Sequence, residues 1–214
     1  MINRILIAII TMTIFITVLI FWFDLTTSNP IYYLLIPLIF SLFHLTTPPL
    51  FRLLGLYKYL SPMLLVNNPT KKQYELHNGT SFDYLMNISR FRKHGVKSIL
   101  LYDYLNGLLK IVAEVENGTL PESVTIKGSS YFFSESTATR FGFSVGRATI
   151  GEKLNAAFNY LDLIWMYSLA NKKLTFPNLR RMKRATIKGL TLSENKTKIN
   201  QIFSRIEKTI ANNG

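Results

Sequence analysis

Between Ile5 and Phe23 the chain runs nineteen residues without a formal charge. At about 1.5 Å of rise per residue, a helix of that length reaches close to 30 Å, the thickness of a bilayer's hydrocarbon layer. The run is longer than the apolar region of a secretory signal, roughly 7–15 residues, and no small-x-small cleavage site follows it. Phe21, Trp22 and Phe23 close it instead, and they suit an aromatic anchor at the membrane interface. A short polar stretch, Asp24 to Pro30, leads to a second charge-free run from Ile31 to Phe51. Pro37 lies inside that run, and a membrane helix tolerates it. The expectation is a transmembrane hairpin over 1–51, with spans at about 5–23 and 31–51.

The next segment, Pro48 to Val66, mixes Arg52 and Lys58 with leucines and tyrosines. It suits a short helix lying in the interface with both cations snorkelling to the headgroups, or alternatively a helix packed in the domain. Residues 52–72 are therefore expected to be an interfacial helix or linker. Charge then changes abruptly. Residues 1–65 carry only Arg4, Asp24, Arg52 and Lys58, so of 25 basic and 12 acidic residues, 22 and 11 fall in 66–214. That part holds +11 of the +13 net charge. Arg4 flanks one side of the hairpin, while Arg52, Lys58, Lys71 and Lys72 follow it. The connecting turn has neither Lys nor Arg. The positive-inside rule then puts both termini in the cytoplasm, with the protein in the cell's inner membrane. A basic domain over 73–214 would face the anionic leaflet, where each nearby cation is worth about 1 kcal/mol.

The expected class is helix-dominated α+β: the hairpin, then one basic soluble domain with a few short strands. Phe82 to His94 reads as a helix ended by Gly95. A second runs from about Lys97 to Val115, with Leu101, Tyr104, Leu105, Leu108 and Val112 at helical spacing. Ser123 to Phe133 reads as a strand, Ser134 to Arg140 as one or two helical turns, and Phe141 to Thr149 as strand or loop. Glu152 to Asn171 reads as one helix with Leu154, Phe158, Leu161, Trp165 and Leu169 as its apolar stripe. Ala185 to Lys188 is a short strand. Thr191 and Glu194 form a T-x-x-E capping pattern before a last helix carrying Ile199, Phe203, Ile206 and Ile210.

The chain has no cysteine, which excludes disulfides, thiolate metal sites and a cysteine nucleophile. Its three histidines (His44, His77 and His94) show no metal-binding spacing, and no metal or cofactor is expected. Lys127-Gly128-Ser129-Ser130 lacks the spacing of a phosphate loop. The stretch His77-Asn-Gly-Thr-Ser-Phe-Asp83 holds the best candidates for chemistry. It resembles the His and Asp motif of membrane-anchored glycerolipid acyltransferases, which also follows an N-terminal membrane segment. The resemblance implies His77 as general base, oriented by Asp83. Five residues separate the pair here, where the family has four, and that family's Glu-Gly-Thr-Arg-type motif is absent. The same residues also read as a turn at Gly79 and a helix entry, with Thr80 or Ser81 as cap and Asp83 favoured in the first turn.

Arg180, Arg181, Lys183 and Arg184 form the densest charge cluster. It fits anionic lipid headgroups or a partner protein. Nucleic acid fits the charge, but no binding motif accompanies it. Ser134, Ser136 and Arg140 form a lesser anion candidate. The function expected is a membrane-anchored accessory or interaction protein rather than an enzyme. The alternative is a membrane-bound transferase for an acyl or lipid-linked substrate, using His77 and Asp83.

Overall fold

The computed structural model describes residues 2–130 and 135–212. Helix α1 (Ile2–Ser28) runs straight through the stretch expected to turn, and only Asn29 breaks it. The polar residues there satisfy themselves on the helix. The hydroxyls of Thr26 and Thr27 donate to the carbonyls of Phe23 and Asp24, at 2.8 and 2.6 Å. The return leg is a 3-10 turn (Pro30–Leu35), α2 (Ile36–Thr46) and α3 (Pro48–Leu53). Two segments, Ile5–Ser28 and Pro30–Leu53, are each long and apolar enough to cross a membrane. The Trp22 indole N–H donates to the Tyr32 carbonyl at 2.9 Å, closing the tip. Lower down, Phe15 meets Phe43 edge-on with ring centroids 5.5 Å apart.

The segment expected as an interfacial helix or linker departs from that expectation. Gly55, at φ +73°, stops the helical path just after α3. Residues 57–67 then form β1 (Tyr57–Ser61) and β2 (Leu64–Asn67), an antiparallel pair at the edge of a sheet. Burial decides the outcome: Leu60, Leu64, Leu65 and Val66 are at most 1% exposed, a greater apolar gain than an interface would give. Nor do the two cations reach out as expected. Lys58 pairs with Glu114 at 2.6 Å and donates to the Tyr74 hydroxyl, while Arg52 lies 4.6 Å over the Tyr59 ring. Only Leu54, Gly55 and Leu56 separate the hairpin from the sheet.

The rest of the chain completes a six-stranded mixed sheet, more strand than the sequence suggests. β3 (Gln73–Asn78) continues the meander. Then come α4 (Ser81–Met86), α5 (Ile88–His94) and α6 (Val96–Glu116), which return the chain to β4 (Thr125–Ser130), parallel to β3. Tyr131 to Phe133, expected to extend that strand, and Ser134 lie outside the described residues. α7 (Glu135–Arg140) and β5 (Ser144–Arg147) follow, the latter settling the ambiguous stretch as strand. α8 (Ile150–Phe158) and α9 (Tyr160–Asn171) take the place of the single helix expected. Asn159 separates them, its side-chain amide donating back to the Asn155 carbonyl at 2.7 Å. β6 (Lys183–Lys188), α10 (Gly189–Glu194) and α11 (Lys196–Asn212) finish the fold. Thr191 and Glu194 fall inside α10, whose N-cap is Lys188, and not at the start of a helix. Strand order is β1-β2-β3-β4-β6-β5.

Alternation along the strands gives the sheet two different faces. Leu64, Val66, Tyr74, Leu76, Ile126 and Ile187 point to one side and form the main core with Leu105, Leu108, Ile111 and Val112 of α6. Leu192 and Ile199 join from α10 and α11. A second cluster around Met63, Tyr84, Ile99 and Met166 sits between α4, α5, α6 and α9. Arg90 clamps α5 to α6 through a two-pronged contact with Asp103, at 2.9 and 3.0 Å. Burial pushes the Asp103 carboxyl up, and Arg90 opposes it. Gly107 is where α6 comes closest to the sheet. A Cβ there would lie 2.5 Å from Leu64 Cδ2 and 3.3 Å from Leu60 Cβ. Gly107→Leu is therefore expected to destabilise the protein by about 1–3 kcal/mol through overpacking, read as a lowered unfolding midpoint in detergent.

Candidate functional site

The other face of the sheet is polar. Register places Tyr57, Asn67, Glu75, Lys127, Thr186 and Ser144 side by side across all six strands. Tyr57, Glu75, Lys127 and Thr186 are half-buried and Asn67 and Ser144 exposed, so the row is not sealed under a continuous apolar layer. Instead the end of α2 and the α8–α9 pair rise beside it and enclose a cleft of about 240 Å³. His44, Thr47 and Pro48 come from the hairpin side. His77 and Leu65 come from the sheet, Gly79 to Ser81 from the entry of α4, and Asn155, Asn159 and Asp162 from the far wall.

The α4 entry forms as a cap. The Thr80 hydroxyl accepts from the Asp83 N–H at 3.4 Å, and the Asp83 carboxylate accepts from the Thr80 N–H at 2.7 Å. The same carboxylate oxygen also accepts from the hydroxyls of Thr80 and Tyr59, at 2.8 and 2.9 Å. Burial raises the Asp83 pKa above the usual carboxylate range, against the pull of those donors and of Arg52. Burial and the Asp83 charge push the Tyr59 hydroxyl far up. No hydrogen bond joins His77 to Asp83 among the described residues. His77 instead faces its sheet neighbour Glu75, with Nε2 to carboxylate at 3.5 Å, and Lys127 reaches the other carboxylate oxygen at 3.3 Å. The His77 contact, partly opposed by burial and aided by Lys127, holds the Glu75 carboxyl down at about 2.

A second group, unremarked in the sequence, lies where hairpin and domain meet. Asp162 of α9 is 5% exposed. One of its oxygens accepts from the Ser81 hydroxyl at 2.7 Å, and the other lies 3.2 Å from His44 Nδ1 at the end of α2. The Trp165 indole N–H donates to Ser81 at 3.3 Å. The carboxylate stands between the serine and the imidazole, so the imidazole is not placed to take the serine's proton. The arrangement is a buried polar junction. Its sequence signals were a histidine in an otherwise uncharged span and an aspartate inside an apolar helix.

The basic cluster divides. Lys183 pairs with Glu135, and Arg184 pairs with Glu152 at 2.8 Å. Burial alone would raise the Glu152 carboxyl, but Arg184 and the Thr149 N–H outweigh it and leave it lowered. Arg180 and Arg181, in a 3-10 turn (Leu179–Arg181), have no ion-pair partner among the described residues. Arg181, Lys183 and Arg184 also line a cavity of about 400 Å³ on the core side, walled by Leu76, Leu108, Phe141 and Phe143. Among the described residues no three His, Asp or Glu side chains gather as metal ligands.

No family model, no curated protein and no solved structure matches this chain.

The site generates two expectations. Asp162→Ala leaves the Ser81 hydroxyl and the His44 ring without their acceptor, and should cost about 1–3 kcal/mol. Faster amide exchange in α9 and at the end of α2 would show it, and unchanged exchange would contradict it. Glu75 should titrate near pH 2 and not at its ordinary 4.5. A lowered carboxyl pKa contributes stability that is in place above the unfolded value and is lost as pH falls through the folded one. Carboxyl-carbon NMR of the solubilised chain reads the midpoint, and Lys127→Gln should raise it.

Proposed function

We propose that this chain is an integral membrane protein of accessory type, with both termini cytoplasmic and its domain held against the inner leaflet to contact anionic headgroups or a partner protein. The observation that carries the reading is the position of Arg180 and Arg181, which have no ion-pair partner among the described residues. The 3-10 turn holding Arg180 and Arg181 packs against α8, and α8–α9 in turn lies beside α2 of the hairpin. The basic turn thus stays within reach of the surface the hairpin crosses. Unpaired cations there gain from the negative surface potential without first breaking an ion pair. Arg52 and Lys58, near the same end of the hairpin, add to the positive-inside asymmetry.

A second reading rests on His77, which lines the cleft at the hairpin end. A membrane-bound transferase for an acyl or lipid-linked substrate would use His77 as general base on a hydroxyl in that cleft. Asp83 would shape the cleft wall through Thr80, and Glu75 would support the charged ring.

Two experiments test these readings. Amide exchange over the basic turn should slow in nanodiscs containing phosphatidylglycerol relative to phosphatidylcholine alone. The difference should vanish in Arg180→Glu/Arg181→Glu and shrink at high salt. Equal exchange in both lipids would remove the headgroup contact, and a periplasmic reporter at Gly214 would remove the orientation. His77→Ala, with folding intact, should abolish biological activity under the transferase reading and be tolerated under the first.

A further inference from the structure

Helix α8 is built with its polarity reversed. The N-terminal part of the expected apolar stripe faces out, Leu154 being 54% exposed and Phe158 67%, and Ile150 one turn earlier is 79% exposed. Leu161, at the start of α9, continues the same exposed line. The side turned inward carries Asn155, Asn159 and the small Ala156, which line the polar cleft. In water this arrangement leaves a row of large apolar side chains unburied while only the small Ala156 of α8 is buried, against the ordinary preference of a domain surface.

The position of the stripe names what covers it. The Phe158 ring meets the Phe40 ring of α2, with centroids 6.1 Å apart. The exposed row on α8 is therefore continuous with the outer surface of the hairpin, where Ile36, Leu38 and Phe40 are likewise exposed. The adjoining loop adds Leu174 and Phe176, both more than half exposed, and Arg180 lies beside Phe176 at the end of α8. Apolar side chains flanked by Lys172, Lys173 and Arg180 are the chemistry of a headgroup-to-acyl boundary.

We infer that α8 is an interfacial membrane helix, with Ile150, Leu154 and Phe158 immersed among the acyl chains of the leaflet on the domain side of the hairpin. The domain then touches the bilayer at a third place, beside the two spans. This rests on the hairpin crossing a membrane, and the test separates the two claims.

The chain has no cysteine, so single cysteines can be labelled without background. The full chain carrying a bimane at Leu154→Cys is reconstituted in vesicles of phosphatidylcholine and phosphatidylglycerol brominated near the headgroup, and, for position 14 at the middle of the first span, in vesicles brominated near the acyl-chain ends. Ile150→Cys repeats the reading at a second exposed site. Ile14→Cys, in the first span, reports the hairpin, and Lys208→Cys, exposed on α11, reports the aqueous level. Bromolipid quenching at positions 150 and 154 should exceed that at position 208 several-fold. Quenching at position 14 with positions 150 and 154 no different from 208 overturns the interfacial helix and leaves the hairpin standing. Loss of quenching at position 14 as well overturns both.

Discussion

Asp162 is the group on which the relation between hairpin and domain depends. A buried carboxylate is costly unless it is hydrogen-bonded, and its two oxygens are taken by side chains from two different elements, Ser81 of α4 and His44 of α2. Removing either partner leaves a buried charge short of a donor. Holding both fixes how the second span sits against α4 and α9. Apolar contact alone would allow the helices to slide. Directional bonds to one carboxylate do not, and the cleft beside His77 inherits its shape from that restraint.

The sheet follows a similar division of labour. Its core face is filled by α6, α10 and α11, and there the packing is tight enough that Gly107 has no room for a side chain. Its opposite face carries Glu75 in contact with both His77 and Lys127, which hold the Glu75 carboxyl far below its ordinary range. The side of the domain nearest the hairpin is thus polar within and apolar without at α8, while the side away from it is ordinary core. The proposals of headgroup contact and of an interfacial α8 both draw on this asymmetry.

Much of the fold was legible in the sequence, and the limits have physical causes. The two apolar helices followed from length and lack of charge. The Thr80–Asp83 cap, the stop at Gly95 and the span of α6 followed from local chemistry that tertiary contacts did not override. The β1–β2 pair was misread because leucines and tyrosines suit an interface, a helix and a strand alike, and only pairing with β3 decides among them. Helix α8 shows a different limit. Periodicity locates an apolar face but does not say which surroundings it meets, and here Leu154 and Phe158 turn away from the core. The sequence hinted at the members of the Asp162 junction singly but not at their meeting, because His44, Ser81 and Asp162 lie far apart along the chain. The arginine cluster was visible as charge, yet which of its members are neutralised depended on Glu135 and Glu152, both distant in sequence.

The three-residue passage from α3 to β1 leaves no slack between span and sheet. Most anchored domains hang on a linker that absorbs motions of the membrane. Here the last turn of the second span, the Asp162 junction and the first strand form one continuous stiff path. A helix whose apolar length does not match the bilayer adjusts by tilting. With the hairpin placed in a bilayer as proposed, such a tilt would carry the sheet with it, so that bilayer thickness would become a mechanical input to the orientation of the polar cleft.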